Sequence, residues 1–324
     1  MHQLGRATTN TGYYSYWFNL KNKVNKESTN AFWNSCKFTE QRNAMRYRTG
    51  TLYNQKHAFH FNHSPNTTCP LCPSLDSALH MLSGCQHTMI KNVITERHNI
   101  ASRIIIQALS KGALGANLTY TDVSSTDRLT DSGIDTSYVA NRILPSWLLP
   151  HLSETEIRRS SRPDAIFILP TTTGSARFTD SNSVLNQFAI GYFNPRHWEV
   201  HILEFKYCED TRPQIQCEKA EAQHATLIHR LQSQKYHKLK LHTILNVVMG
   251  TIYTEYTDQP LQDLGLDFHQ TAKVTTRLNQ HAVQFASKLI QTRRAMQYNK
   301  TYATTTVGLG VDMDASARNP PDPH

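Results

Sequence analysis

The chain is expected to fold as an α/β protein, a small mixed sheet flanked by helices, with an N-terminal helical zinc-binding module. Three observations predict this. Apolar runs at 165–169 and 198–203 each adjoin acidic residues, as buried strands leading to a site do. A helical pattern and a third apolar run, 239–249, follow them, which is the order of an α/β layer. Upstream, three of the six cysteines crowd into residues 69–85.

Residues 1–25 are polar and aromatic without a period and form an N-terminal arm. Residues 26–109 form the zinc module. A helix is expected from Ser28 to Arg48, capped by Ser28 or Thr29, with Phe32, Trp33, Cys36, Phe38 and Met45 as its apolar stripe and Gly50 as its stop. Pro65 and Asn66 make a turn. A second helix spans 88–109, with Ile90, Val93, Ile94, Ile100, Ile104 and Ile105 on its buried side. Residues 110–144, poor in large apolar groups over most of their length, are a flexible linker. Pro145 and Pro150 bracket an anchor, Trp147-Leu148-Leu149, at the start of the second domain, 145–298. Its strands lie at 165–169 and 198–206, with room for another between 175 and 190. A helix at 214–233 precedes the strand at 239–249, which Gly250 stops. Short helices at 252–256 and 259–264 and a long one at 270–298 follow. Residues 299–324, rich in proline at the end, are expected to be a disordered tail.

Composition narrows the function. The chain holds 34 Lys and Arg against 25 Asp and Glu, a formal charge of +9 that suits a polyanion such as nucleic acid. No apolar stretch approaches the ~20 residues that cross a bilayer, and the first residues lack the apolar core of a secretory signal. An intracellular protein without a membrane partner is expected, its thiols reduced unless metal holds them.

Cys69-Pro70-Leu71-Cys72 is followed by His80 and Cys85. A C-x₂-C knuckle lets two thiolates grip one ion, and four such S and N donors suit tetrahedral Zn²⁺ in a structural role. The fourth donor is Cys85, with His87 as the alternative.

Asp164 opens the strand at 165–169, and Glu204-Phe205-Lys206 closes the one at 198–206. Side chains alternate along a strand, so Glu204 and Lys206 share a face, and pairing of the strands brings Asp164 to them. Two carboxylates, Asp164 and Glu204, with the Phe205 carbonyl, suit Mg²⁺ or Mn²⁺, and a lysine beside them suits a phosphate or an attacking water. Glu96 on the 88–109 helix, Glu154 and Glu156 are candidates for a third acid. Phosphate contacts are expected from Arg158, Arg159, Arg162, Lys219, Gln223, His224, Lys235, Lys238, Arg293 and Arg294.

In this order, Cys69, Cys72, His80 and Cys85, then Arg162-Pro163-Asp164, then Glu204 and Lys206 with Tyr207 behind, resemble the C-terminal region of site-specific non-LTR retrotransposon polyproteins. The tracts 48–56 and 250–253 look similar as well. The resemblance covers about residues 40–298. It implies a restriction-endonuclease-like fold of the PD-(D/E)xK type and a Mg²⁺-dependent nick in a double-stranded DNA target. It also implies a nuclear location, element RNA as a possible second partner, and a reverse transcriptase moiety. No Tyr-x-Asp-Asp polymerase motif occurs here, so that moiety is supplied elsewhere and the chain looks like a fragment or truncated copy. The gap between Asp164 and Glu204 is longer than usual in the family and requires an insertion at 171–196. The alternative expectation is a catalytically inactive, zinc-containing nucleic-acid-binding remnant.

Overall fold

A computed structural model of the chain describes residues 23–112, 118–122, 148–149, 153, 162–171, 194–208 and 213–309. The arm at 1–22, most of the linker, the 175–190 segment and residues 310–324 lie outside the described residues.

Four strands form one mixed sheet in the order β1-β2-β3-β4: β1 Leu118–Thr121, β2 Ala165–Pro170, β3 Trp198–Cys208 and β4 Lys238–Val247. β1 and β2 are antiparallel, and so are β2 and β3, with Ala165 opposite Leu203 and Pro170 opposite Trp198. β3 and β4 run parallel, from Glu199 opposite Lys238 to Cys208 opposite Val247. Parallel neighbours need a crossover, and the helix Pro213–Ser233 supplies it.

Both faces of β2 and β3 are covered, which is why these strands read as continuous apolar runs. Ala165, Phe167, Leu203 and Phe205 pack with Ile104 and Ile105 of the helix Thr88–Lys111. On the other face Ile166, Ile168, Val200 and Ile202 meet Leu227 and Leu231 of the crossover helix, with Leu148 and Leu149 beside them. β1 is a correction to the sequence expectation, because it lies in the stretch taken as linker. Its few residues are too short for a periodic signal, yet Tyr120 is buried.

In chain order the helices are α1 Lys26–Thr29, α2 Phe38–Arg48, α3 Gln55–His60, α4 Thr88–Lys111, α5 Pro213–Ser233, α6 Gln259–Asp263 and α7 Phe268–Leu309. The helix expected over 28–48 is broken into α1, a 3₁₀ turn at Ala31–Asn34, and α2. Glu40 Oε2 accepts the Lys37 N–H at 2.7 Å and starts the new helix. The expected stripe divides accordingly: Phe32 and Cys36 are buried, while Trp33, Phe38 and Met45 are exposed. α7 continues past its expected end at 298. It passes so close to Gly250 (φ +82°) that a Cβ there would sit 2.7 Å from the Asn279 carbonyl oxygen, so only glycine fits.

The cysteine-bearing segment and the sheet share a core. Phe32, Tyr47, Met81 and Leu82 cluster with Leu245 and Val247 at the end of β4 and with Val283 and Leu289 of α7. Among the described residues no helix is long and apolar enough to cross a membrane.

Candidate metal centre and acidic corner

The cysteine cluster is built by tight local turns. A lone bridge pairs Thr68 with Leu75, and within it the Cys69 N–H donates to Ser74 O and the Ser74 N–H to Cys72 O, each at 2.8 Å. A single π-helical turn, His80–Gly84, then aims His80 back, and Cys85 follows in extended backbone. Cys72 Sγ lies 3.3 Å from His80 Nε2 and 3.9 Å from Cys85 Sγ. All four donor atoms fall within 4.8 Å of one another. A zinc tetrahedron with Zn–S near 2.3 Å and Zn–N near 2.0 Å has edges of about 3.5–3.8 Å, so the group can hold a zinc ion. Cys85, not His87, is the fourth member of the group; His87 instead stands at the N-cap of α4.

Burial lowers the His80 pKa, which favours the neutral ligand form. Burial pushes the Cys85 thiol up to about 12. At Cys72 burial also acts upward, but backbone N–H groups of Gln86 and Ser74 and the Ser74 hydroxyl outweigh it and the pKa falls. Beneath the cluster Asp76 is fully buried and takes two bonds from Arg293, at 2.6 and 2.5 Å, and one from the Gln55 N–H at 2.7 Å. This pair ties the cysteine segment to α7. It corrects the expectation for Arg293, whose guanidinium is buried on Asp76 rather than offered to phosphate.

The acidic corner forms where β2 and β3 part. Asp164 is anchored by its N–H to Leu203 O at 3.0 Å. Its Oδ2 accepts the Phe205 N–H at 2.6 Å, taking the place of the next ladder bond, and Oδ1 accepts from Ser102 Oγ at 3.2 Å. His98 Nε2 lies 3.8 Å from Oδ1 and 3.1 Å from the Phe205 carbonyl oxygen. Glu204 Oε1 meets Lys206 Nζ at 2.5 Å, and Oε2 meets His224 Nε2 at 2.8 Å. Gln223 closes the ring, donating to Glu204 Oε1 at 3.3 Å and accepting from Lys206 Nζ at 2.5 Å.

Both carboxylates are buried. Burial raises the Asp164 pKa to about 6; His98 opposes this and the Glu204 charge adds to it. Burial acts upward on Glu204 too, but the His224 hydrogen bond and the Lys206 charge outweigh it, so its pKa falls. The corner therefore holds one firmly ionised carboxylate and one poised near neutrality.

Several expected residues stand elsewhere. Glu96 is half-exposed and paired with Lys288 at 2.8 Å, so it does not join Asp164. His224 is fully buried against Glu204 rather than facing outward. Lys238 lies 3.6 Å from Glu199. Arg162, Lys219, Lys235 and Arg294 are exposed. Arg158, Arg159, Glu154 and Glu156 lie outside the described residues. His98 and Ser102, which do reach Asp164, were not anticipated. Their i,i+4 spacing on α4 is the one sequence signal that places them on a common face.

In comparisons with known proteins, no protein-family model, no curated protein and no solved structure matches this chain.

Proposed function

We propose that the Asp164–Glu204–Lys206 corner is the centre of a divalent-metal-dependent DNA endonuclease with a restriction-like core. One observation supports this most. Where two antiparallel strands separate, buried Glu204 pairs with the Lys206 ammonium, and buried Asp164 on the neighbouring strand feels the Glu204 charge, on a frame ordered α4-β1-β2-β3-α5-β4. Burying an acid whose pKa is forced upward is costly and is a mark of working sites.

Asp164, Glu204 and the Phe205 carbonyl are the residues that would hold Mg²⁺ or Mn²⁺, with His98 Nε2 beside them. Such an ion, when bound, supplies polarisation of a phosphoryl oxygen and a more acidic water. His224 and Gln223 fix the direction of Glu204. Lys206 orients a water or steadies charge on the phosphate. Nicking of supercoiled plasmid by the zinc-loaded chain tests this. Asp164→Asn should lower the Mg²⁺- or Mn²⁺-dependent rate about a hundredfold or more with the fold intact by circular dichroism. Unchanged cutting by that variant removes the assignment.

A second reading, an inactive nucleic-acid-binding remnant, draws on the fact that both Glu204 oxygens are already engaged within the protein. It expects salt-sensitive DNA binding without cleavage. The retrotransposon origin, nuclear setting, RNA partner and separate reverse transcriptase belong to the proposal and rest on motif order alone.

A further inference from the structure

Six large apolar side chains stand exposed between positions 33 and 61: Trp33, Phe38, Met45, Tyr53, Phe59 and Phe61. Two of them, Trp33 and Met45, line one groove. The same stretch is basic. From 37 to 63 it carries Lys37, Arg42, Arg46, Arg48 and Lys56 against one acid, Glu40. Arg42, Arg46 and Lys56 are exposed.

One place on this surface is preformed. A groove of about 290 Å³ opens beside α1 and α2, with Lys26, Trp33, Met45 and Arg48 among its walls. The Arg48 guanidinium is fixed there. It donates to Thr29 O at 2.9 Å and Asn30 Oδ1 at 3.2 Å, and it lies 4.8 Å over the Phe32 ring. Trp33 stacks on that same buried ring at 4.8 Å. Beyond α2 the Thr51 N–H bonds to Arg46 O at 2.8 Å, and the chain enters a run of touching rings: Tyr53 with His57 at 6.5 Å, His57 with Phe61 at 4.7 Å, and Phe61 with His60 at 5.0 Å.

We propose that this surface binds single-stranded nucleic acid, with an unpaired base lodged in the groove beside Trp33 and Arg48. The proposal is independent of the acidic corner. An unpaired base offers a flat face to an indole and a guanidinium, whereas a duplex hides its base faces. The excess of cations across 37–63 matches a phosphate backbone, and it would be left unmatched by an apolar protein partner. Arg42 and Arg46, one helical turn apart on α2, take phosphates on either side of the lodged base.

The test is fluorescence anisotropy of a short labelled oligothymidylate, and of a duplex of equal length, with the zinc-loaded full chain. Trp33→Ala should weaken single-strand binding about tenfold and change duplex binding by less than about twofold, while Trp33→Phe retains most of the affinity. The double variant Arg42→Ala/Arg46→Ala should flatten the dependence of log K on log salt by about 1.4 units. These side chains are exposed, and thermal melts are to check that the variants fold. Unchanged single-strand affinity in Trp33→Ala overturns the proposal, as does equal weakening for both probes. Loss of self-association in the ultracentrifuge with oligonucleotide binding intact makes the surface a protein interface and also overturns it.

Discussion

The cysteine cluster and the acidic corner both bring together side chains of ligating type, but they are held differently. At the cluster, four donor atoms lie within 4.8 Å of one another, set by turns a few residues long. At the corner, two carboxylates arrive from separate strands, and each is already held by neighbours: Asp164 by Phe205 and Ser102, Glu204 by Lys206, Gln223 and His224. The first arrangement is complete in protein ligands and suits an ion that holds the fold. The second has its carboxylate oxygens bonded to protein groups, so the cation proposed there would compete with those bonds.

This contrast makes opposite predictions for ligand removal. Stripping zinc, or replacing Cys72 by Ser, should cause the largest loss, on the order of ten kcal/mol where folding of the segment depends on metal. The measurement is a thermal melt followed by circular dichroism, with zinc content determined in parallel. A chain that melts identically with and without chelator would break the structural role.

Arg293→Ala should cost about 3–5 kcal/mol in urea unfolding, because it leaves the Asp76 carboxylate buried without its partner. A surface charge would cost far less, so this value sharpens the assignment of Arg293 to the fold.

At the corner the sign reverses. The Asp164 pKa is raised to about 6, so its contribution to stability is fully present below the unfolded value near 3.8 and is lost as pH rises through about 6. Asp164→Asn is therefore expected to stabilise the protein by about 1–3 kcal/mol at neutral pH, and by nothing below about pH 4, even as it lowers the proposed cleavage. Denaturant unfolding at both pH values checks this. Destabilisation at neutral pH would show a purely structural acid.

The effect that is smallest at neutral pH lies on the sheet face, away from the cluster and the corner. His242 is buried against His201 at 2.9 Å, and burial depresses its pKa to about 3, with the His201 charge acting the same way. Its depressed pKa leaves stability intact above the unfolded value near 6.5 and removes it as pH falls toward 3. Below pH 6.5 stability should fall by about 1 kcal/mol per pH unit for this group, and His242→Gln should flatten that slope.

Elements with long, regular patterns were legible from sequence. α4, α5, β2, β3 and β4 lie within a few residues of their expected bounds, because each buries a periodic set of side chains. The cysteine cluster was legible because all of its donors lie within residues 69–85. Contacts between distant segments left no local trace. Ser102 reaches Asp164 across 62 positions, and Arg293 reaches Asp76 across 217. Which face of α4 meets β3 depends on how the helix rolls onto the sheet, and that is decided by packing of Ile104 and Ile105 rather than by any motif. Glu96 was expected as a third acid, yet the roll of α4 pairs it with Lys288 instead. The break near Asn30 was hidden because apolar residues occur on both sides of it.

Binding of Mn²⁺ by the zinc-loaded chain, followed by electron paramagnetic resonance, addresses the acidic corner without relying on turnover. The parent should titrate with a Mn²⁺ site that disappears in Asp164→Asn/Glu204→Gln while zinc content stays the same. Equal Mn²⁺ uptake by the parent and the double variant would contradict the assignment of a divalent-cation centre to this end of the sheet.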